Sequence, residues 1–205
     1  MKIIFKIAKN ELRHVFYSPI AWFVMIVFLV QCAVYFAGPL YNVANWQEIM
    51  LKNSPGFKGD QALTFGIFIR GGVFFNVVNN LYLFIPVLTM GLISREVSNG
   101  SVKLLYSSPV SLWQIVCGKY LGIMLYNVLL VSILGLFMLI GVIDIRHVDY
   151  GMLLSAALGL YLLICAYSAM GLFMSSLSTY QIVSALSTFV LIFVLSRIGE
   201  LWQRY

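Results

Sequence analysis

The 205-residue chain has a mean hydropathy of +0.95, with 61% hydrophobic and only 10% charged residues. Soluble domains carry about 25% charged residues, so this composition excludes a soluble protein and predicts an integral membrane protein. The net charge of +6 would suggest nucleic acid as the partner of a soluble chain. Here the cations flank apolar segments and face lipid head groups, so we expect membrane lipid, and no nucleic acid, as a partner.

The first 18 residues have the pattern of an amphipathic helix. Four cationic side chains fall within an arc of about 60°, and the opposite side is apolar. The cationic side chains are Lys2, Lys6, Lys9 and Arg13, and the apolar ones are Ile4, Phe5, Ala8, Leu12, Val15 and Phe16. The pattern predicts that residues 1–18 form an interfacial helix, with its apolar face toward the acyl chains. Ser18-Pro19 predicts the start of the next helix, because serine caps helices and proline is tolerated at their first position.

Apolar segments long enough to cross a bilayer, at about 20 residues per crossing, recur along the rest of the chain. They cover residues 19–38, 73–93, 110–143, 152–174 and 181–196. Gly38-Pro39 predicts the end of the first span. The sequence therefore predicts a single all-α domain over residues 1–205, a polytopic transmembrane helix bundle. The cationic cluster before the first span favours a cytoplasmic N-terminus.

A charged insert, residues 94–109, separates spans two and three. Arg95, Glu96 and Lys103 would each cost about 2.5 to 3.5 kcal/mol at a bilayer centre, whereas each flanking leucine or valine returns only about 0.3 to 0.6 kcal/mol. The insert must therefore lie in water, with a membrane span on each side.

Helix punctuation divides this insert into short pieces. Asn99-Gly100 predicts a helix stop, and Ser101 can cap a new short helix with Leu104 and Leu105 on one face. Ser108-Pro109 predicts the start of span three, with Ser111-x-x-Gln114 as a second possible cap. The alternative is a tight cytoplasmic hairpin that has no partner.

Three asparagines, Asn76, Asn79 and Asn80, share one face of span two. Hydrogen bonds between helices are the first interpretation, and contact with a substrate path is the second. Gly118-x-x-x-Gly122 predicts a seam at which two helices approach closely. The sequence has no phosphate-binding Gly-x-x-x-x-Gly-Lys-Ser/Thr run, and we find no catalytic or metal-binding constellation.

Several motifs resemble the permease subunits of type-2 ABC transporters, particularly the gliding-motility-like branch of bacterial exporters. The main resemblance lies in Leu83–Leu121, where that family has an acidic pair, then Gly-Thr-x-Glu-Leu-Leu, Ser-Pro, Trp-Gln-Ile and Gly-Lys. This chain has Arg95-Glu96, Gly100-Ser-Val-Lys-Leu-Leu105, Ser108-Pro109, Trp113-Gln-Ile115 and Gly118-Lys119. Gly171–Val183 and the N-terminal amphipathic helix are further matches.

The resemblance implies that residues 94–109 are a cytoplasmic coupling segment, which rests in a groove of an ATPase. By position, Glu96 matches an acidic residue, Gly100 the helix break and Ser101 the threonine after it. Leu104 and Leu105 match the apolar contact with the ATPase, and Ser108-Pro109 the start of span three. Arg95 and Lys103 stand where acidic residues are usual, and Leu112 where an acid is often found.

The implied function is that of a transmembrane permease subunit, not an enzyme. It would couple ATP hydrolysis by a separate ATP-binding cassette subunit to transport, by analogy export, of an unidentified substrate. It would need no cofactor of its own, since the ATPase binds ATP, and it would act as a dimer with a second copy or a similar permease. Its expected place is the bacterial cytoplasmic (inner) membrane, as a multi-pass protein.

The family usually has a sixth span, so the resemblance also implies that this chain is truncated or that its last helix comes from elsewhere. The alternative function is a non-transporting membrane scaffold that recruits a cytoplasmic protein through residues 94–109. A transporter subunit should change the turnover of its ATPase, whereas a scaffold would bind without changing it.

Overall fold

The computed structural model describes residues 2–53, 65–69, 71–101, 110–144 and 148–202. Every regular element within these ranges is helical, which confirms the all-α fold class. In chain order the α-helices are α1 (Lys2–Tyr17), α2 (Pro19–Asn53), α3 (Val73–Thr89), α4 (Ser94–Ser98), α5 (Leu112–Asp144), α6 (Tyr150–Leu177) and α7 (Gln181–Trp202). A π-helical turn, Phe65–Ile69, precedes α3.

The helical segments that could span a membrane agree in number with the sequence prediction. In the described part of the chain, five are long and apolar enough: Pro19–Met50, Gly66–Ser98, Leu112–Ile143, Tyr150–Leu177 and Gln181–Gly199. Many of their large apolar side chains point outward, as lipid-facing residues do. The chain is therefore a multi-pass membrane protein.

The chain divides into two compact units. The first comprises Met1–Met25, Asn80–Leu129 and Leu162–Tyr205, and the second comprises Ile26–Asn79 and Leu130–Tyr161. The second unit has an aromatic core, in which the ring centroid of Phe36 lies 5.7 Å from those of Phe68 and Phe137. The first unit contains α1 and α4.

The predicted helix end at Gly38-Pro39 is wrong, because α2 runs through both residues to Asn53. A proline inside a helix removes one backbone hydrogen bond and costs about 3 kcal/mol. The remaining bonds of this 35-residue helix continue on both sides of that one gap. An ion pair between Glu48 and Lys52, at 2.6 Å, supports the last turn.

The second span contains a break close to Pro86, a residue at which the sequence predicts a local kink. The helix α3 ends at Thr89, and the turn at residues 90–93 separates it from α4. The predicted stop at Asn99-Gly100 is confirmed, because α4 ends at Ser98 and Gly100 has a φ of +69°, a left-handed conformation that glycine adopts without strain.

The start of the third span shows the predicted reciprocal cap. The backbone amide of Gln114 donates to the Ser111 hydroxyl at 3.4 Å. The backbone amide of Ser111 donates to the side-chain oxygen of Gln114, also at 3.4 Å. The helix therefore begins at Leu112, two residues later than the predicted start of the span at Val110.

The N-terminal helix packs on protein through the glycine seam of α5. A methyl group added to Gly118 would lie 2.7 Å from Ile7 Cβ, and one added to Gly122 would lie 2.8 Å from Glu11 Cβ. The cationic side of α1 is exposed as predicted, but Ala8 is only 1% exposed. The expectation that this apolar face simply enters the acyl chains is corrected, since part of it lies against α5.

Replacing Gly122 by alanine should loosen this packing. The added methyl group has no room, so we expect a loss of about 1 to 3 kcal/mol in unfolding free energy, the usual cost of overpacking. Thermal unfolding in detergent micelles measures it. The control is Gly135→Ala on the same helix, where no described atom lies within 4 Å and no loss is expected. Equal melting of the two variants would show that α1 does not need the close approach.

Candidate functional site

The short helix α4 is the described start of the predicted coupling segment. It begins directly after the turn that ends α3 and carries Glu96 in its first turn. Five residues form too few hydrogen bonds to hold a helix in water, so contacts with neighbouring helices must fix its position. Glu96 makes one of these contacts, because its Oε1 lies 2.7 Å from Lys119 Nζ on α5.

Lys119 joins three helices at one buried point. Its residue is 3% exposed, and its ammonium group also lies 3.1 Å from Glu11 Oε2 on α1. The Glu11 side chain is 15% exposed and that of Glu96 is 28% exposed, so water reaches both carboxylates in part. An ammonium group buried without partners would cost several kcal/mol, and these two carboxylates compensate that cost.

The close packing of α1 and α5 makes this geometry possible. Gly118 precedes Lys119, and Gly122 lies one turn beyond Gly118, so both glycines let α1 approach the lysine. Glu11 lies over Gly122, where its carboxylate reaches the ammonium group. The site therefore fixes α4 relative to α1 and α5, and we call Glu11, Glu96 and Lys119 the ion cluster.

The ion cluster attaches α4 to α1 and α5. Across the described residues, no group of three or more His, Cys, Asp or Glu side chains could hold a metal ion. A cavity of about 50 Å³ beside the cluster is lined by Glu11, His14 and Arg95 among others. This volume is large enough to hold water beside the charged side chains.

The remaining residues predicted for coupling are placed only in part. The Ser101 hydroxyl donates to the Glu96 carbonyl at 3.2 Å, so it binds back onto α4. Its predicted role as the cap of a following helix, and the predictions for Leu104, Leu105, Ser108 and Pro109, lie outside the described residues. Of the predicted set, the structure thus brings Glu96, Gly100 and Ser101 together at the end of α4.

The three asparagines of α3 have different surroundings. The Asn76 side-chain amide donates to the carbonyls of Gly71 and Gly72, both at 2.9 Å, and so satisfies the backbone just before α3. Asn79 is exposed and Asn80 is half-buried. Their predicted part in a substrate path stays a prediction.

Sequence reasoning missed the ion cluster, although two signals were present. Lys119 lies within an apolar helix beside the glycine seam, and a cation in such a helix needs a partner. Glu11 is an acid on a helix whose other charges are cationic. The pairing of Lys119 with Glu11 joins positions 108 residues apart, which periodicity cannot reveal.

Replacing Lys119 by methionine should destabilise the protein. It leaves two carboxylates without their cation, and breaking a buried pair in this way costs about 3 kcal/mol. Thermal unfolding in detergent micelles measures the effect. Lys9→Met removes an exposed cation from α1 and should have little effect.

The triple variant Glu11→Gln, Glu96→Gln, Lys119→Met removes all three charges together and should recover part of the loss. If Lys119→Met melts like Lys9→Met, the ion cluster does not hold these helices together.

Comparison with known proteins supports the same kind of membrane protein. No curated protein and no solved structure matches the chain. The family described as ABC-2 family transporter protein matches residues 5–202, nearly the whole chain. The match includes α1, the ion cluster and all five candidate spans. The chain therefore belongs to the ABC-2 transporter family.

Proposed function

We propose that this chain is the permease subunit of a type-2 ABC exporter in the bacterial cytoplasmic membrane, with its N-terminus in the cytoplasm. Permeases of this family typically work with an ATP-binding cassette subunit. That subunit binds and hydrolyses ATP, so the permease needs no cofactor and is not itself an enzyme. The gliding-motility-like branch is the subgroup that the sequence motifs favour.

The observation that carries the coupling role is the attachment of α4. This five-residue helix stands at the end of span two, and the ion cluster ties it to α1 and α5. A connector without a partner has no need of such anchoring, whereas a segment that receives a push must be fixed to what it moves. Leu104 and Leu105, the predicted contact with the ATPase, follow the exposed Asn99-Gly100 break in the sequence.

The proposed motion passes through stiff contacts. When the ATPases close on ATP, they push the second short helix, which the sequence predicts around residues 102–106. The push reaches α4, passes through Glu96 and Lys119 to α5, and tilts spans two and three together. A path between this chain and a second permease, either another copy or a similar chain, then changes its access. The substrate stays unidentified.

Replacing Leu104 by aspartate should abolish copurification with the cognate ATPase subunit. The substitution places a charge in the predicted apolar contact, where a buried and unpaired carboxylate is costly. Affinity purification from membranes measures the bound ATPase. Asn10→Asp is the control, because it adds a negative charge to the exposed face of α1, away from that contact.

The same preparation tests the alternative function. A permease should change the rate of ATP hydrolysis by the bound ATPase, whereas a scaffold binds without changing the turnover. Unchanged copurification of the Leu104→Asp variant would contradict the docking proposal.

The proposed orientation places α4 inside the cell. A cysteine at the exposed position Asn99, in a chain whose three native cysteines are replaced, should react with a membrane-impermeant maleimide only after the cells are opened. We choose Asn99 over Gly100, because the φ of +69° at Gly100 disfavours other side chains. Labelling of intact cells would contradict both the orientation and the coupling role.

A further inference from the structure

We infer that Ser175 on α6 is a positioning residue, which locks the turn between α3 and α4 and makes the fourth span move with the coupling segment. The lock concerns contacts within this chain. Its consequence for coupling rests on the proposed function, and the two are tested separately below.

The Ser175 hydroxyl makes three hydrogen bonds to the backbone of this turn. Its oxygen accepts from the amides of Ile93 and Ser94, both at 3.1 Å, and its hydroxyl group donates to the Met90 carbonyl at 3.0 Å. Ser175 and Ser94 are both fully buried. One side chain of α6 thus binds both sides of the turn.

These bonds replace those that the helix loses at the break. In an unbroken helix each amide would donate to the carbonyl four residues earlier. Here the amides of Ile93 and Ser94 turn to Ser175, because α3 has ended at Thr89. A buried amide without a partner would cost about 1 to 3 kcal/mol. The turn between α3 and α4 therefore depends on the Ser175 hydroxyl.

Gly171, one helical turn before Ser175, supports the same contact. The side chain of Thr89 occupies the space where a Cβ of Gly171 would stand. Thr89 is fully buried, and its hydroxyl donates to the Ile85 carbonyl of its own helix at 2.8 Å. Gly171 and Ser175 therefore form one continuous contact surface on α6, against which the end of α3 and the start of α4 pack.

The neighbouring serine shows that this contact is specific to one position. Ser176 is exposed, and its hydroxyl donates to the Phe173 carbonyl within α6. Two consecutive serines thus have different partners, and only Ser175 reaches another helix through its side chain. The pair supplies a substitution and a matched control of identical size.

Two residues of α4 are held by different helices. Ser175 of α6 holds its first residue, Ser94, and Lys119 of α5 holds Glu96 two residues later. With both contacts present, α4 cannot turn about residues 90–93 without moving α6 as well. A push on the coupling segment therefore reaches span four in addition to spans two and three.

The first test measures the lock without any partner protein. In detergent micelles, the peptide containing Ile93 and Ser94 should exchange its amide hydrogens about tenfold faster in Ser175→Ala, because one partly buried and one buried amide lose their acceptor. Ser176→Ala should exchange like the unmodified chain. Equal exchange in the two variants would overturn the lock.

The second test measures how α4 is held relative to α6. Spin labels at Asn99 and Leu177, both exposed, should give a narrow distance distribution in the parent chain and in Ser176→Ala. Ser175→Ala should broaden it. An unchanged distribution would overturn the claim that the two elements move together.

The third test separates coupling from docking. In proteoliposomes with the cognate ATPase, Ser175→Ala should bind the ATPase as the parent chain does and lose most of its effect on ATP turnover. Leu104→Asp should lose binding itself. Faster exchange with unchanged turnover would overturn the coupling role of Ser175. If the parent chain binds no ATPase, the proposed function fails, and the exchange and distance measurements still decide the lock.

Discussion

The position of α4 depends on the need to neutralise one buried ammonium group. Lys119 stands on an apolar helix with almost no exposure to solvent, and such a charge persists only with carboxylates in direct contact. Glu11 supplies one carboxylate from the N-terminal helix α1, and Glu96 supplies the other from the five-residue α4. The ammonium group of Lys119 therefore fixes the positions of α1 and α4, because each of these helices supplies one of its carboxylate partners.

Small residues allow these polar contacts to form. Within a membrane, lipid is as apolar as leucine, so helices associate through close packing and hydrogen bonds. Gly118 and Gly122 admit α1, and Gly171 admits Thr89. Each glycine contact lies within about one turn of a polar contact, Lys119 with Glu11 in the first case and Ser175 with the turn in the second. On both α5 and α6, a glycine that allows close approach therefore lies near a side chain that makes a polar contact with the neighbouring helix.

The sequence predicts those features that depend on local chemistry. Apolar length predicted the spans, the Ser111 and Gln114 spacing predicted a reciprocal cap, and Asn99-Gly100 predicted a stop that the left-handed glycine confirms. The stop at Gly38-Pro39 failed because a long helix continues past one missing bond. Pro86 predicts a kink in the second span, but not the turn at residues 90–93, because the local sequence does not reveal what holds that turn. Its partner Ser175 lies more than 80 residues further along the chain.

In our proposal, charged groups and hydroxyls, rather than leucines, connect α4 to the helices that move with it. Dispersion contacts between apolar side chains have no strong direction. A hydrogen bond, including one between charged groups, fixes one register, because it weakens steeply away from its preferred distance and angle. A short helix that must pass on a displacement therefore requires directional contacts with each helix that it moves. Ser175 and Lys119 provide them, and the lipid-facing surfaces of the spans stay free to slide.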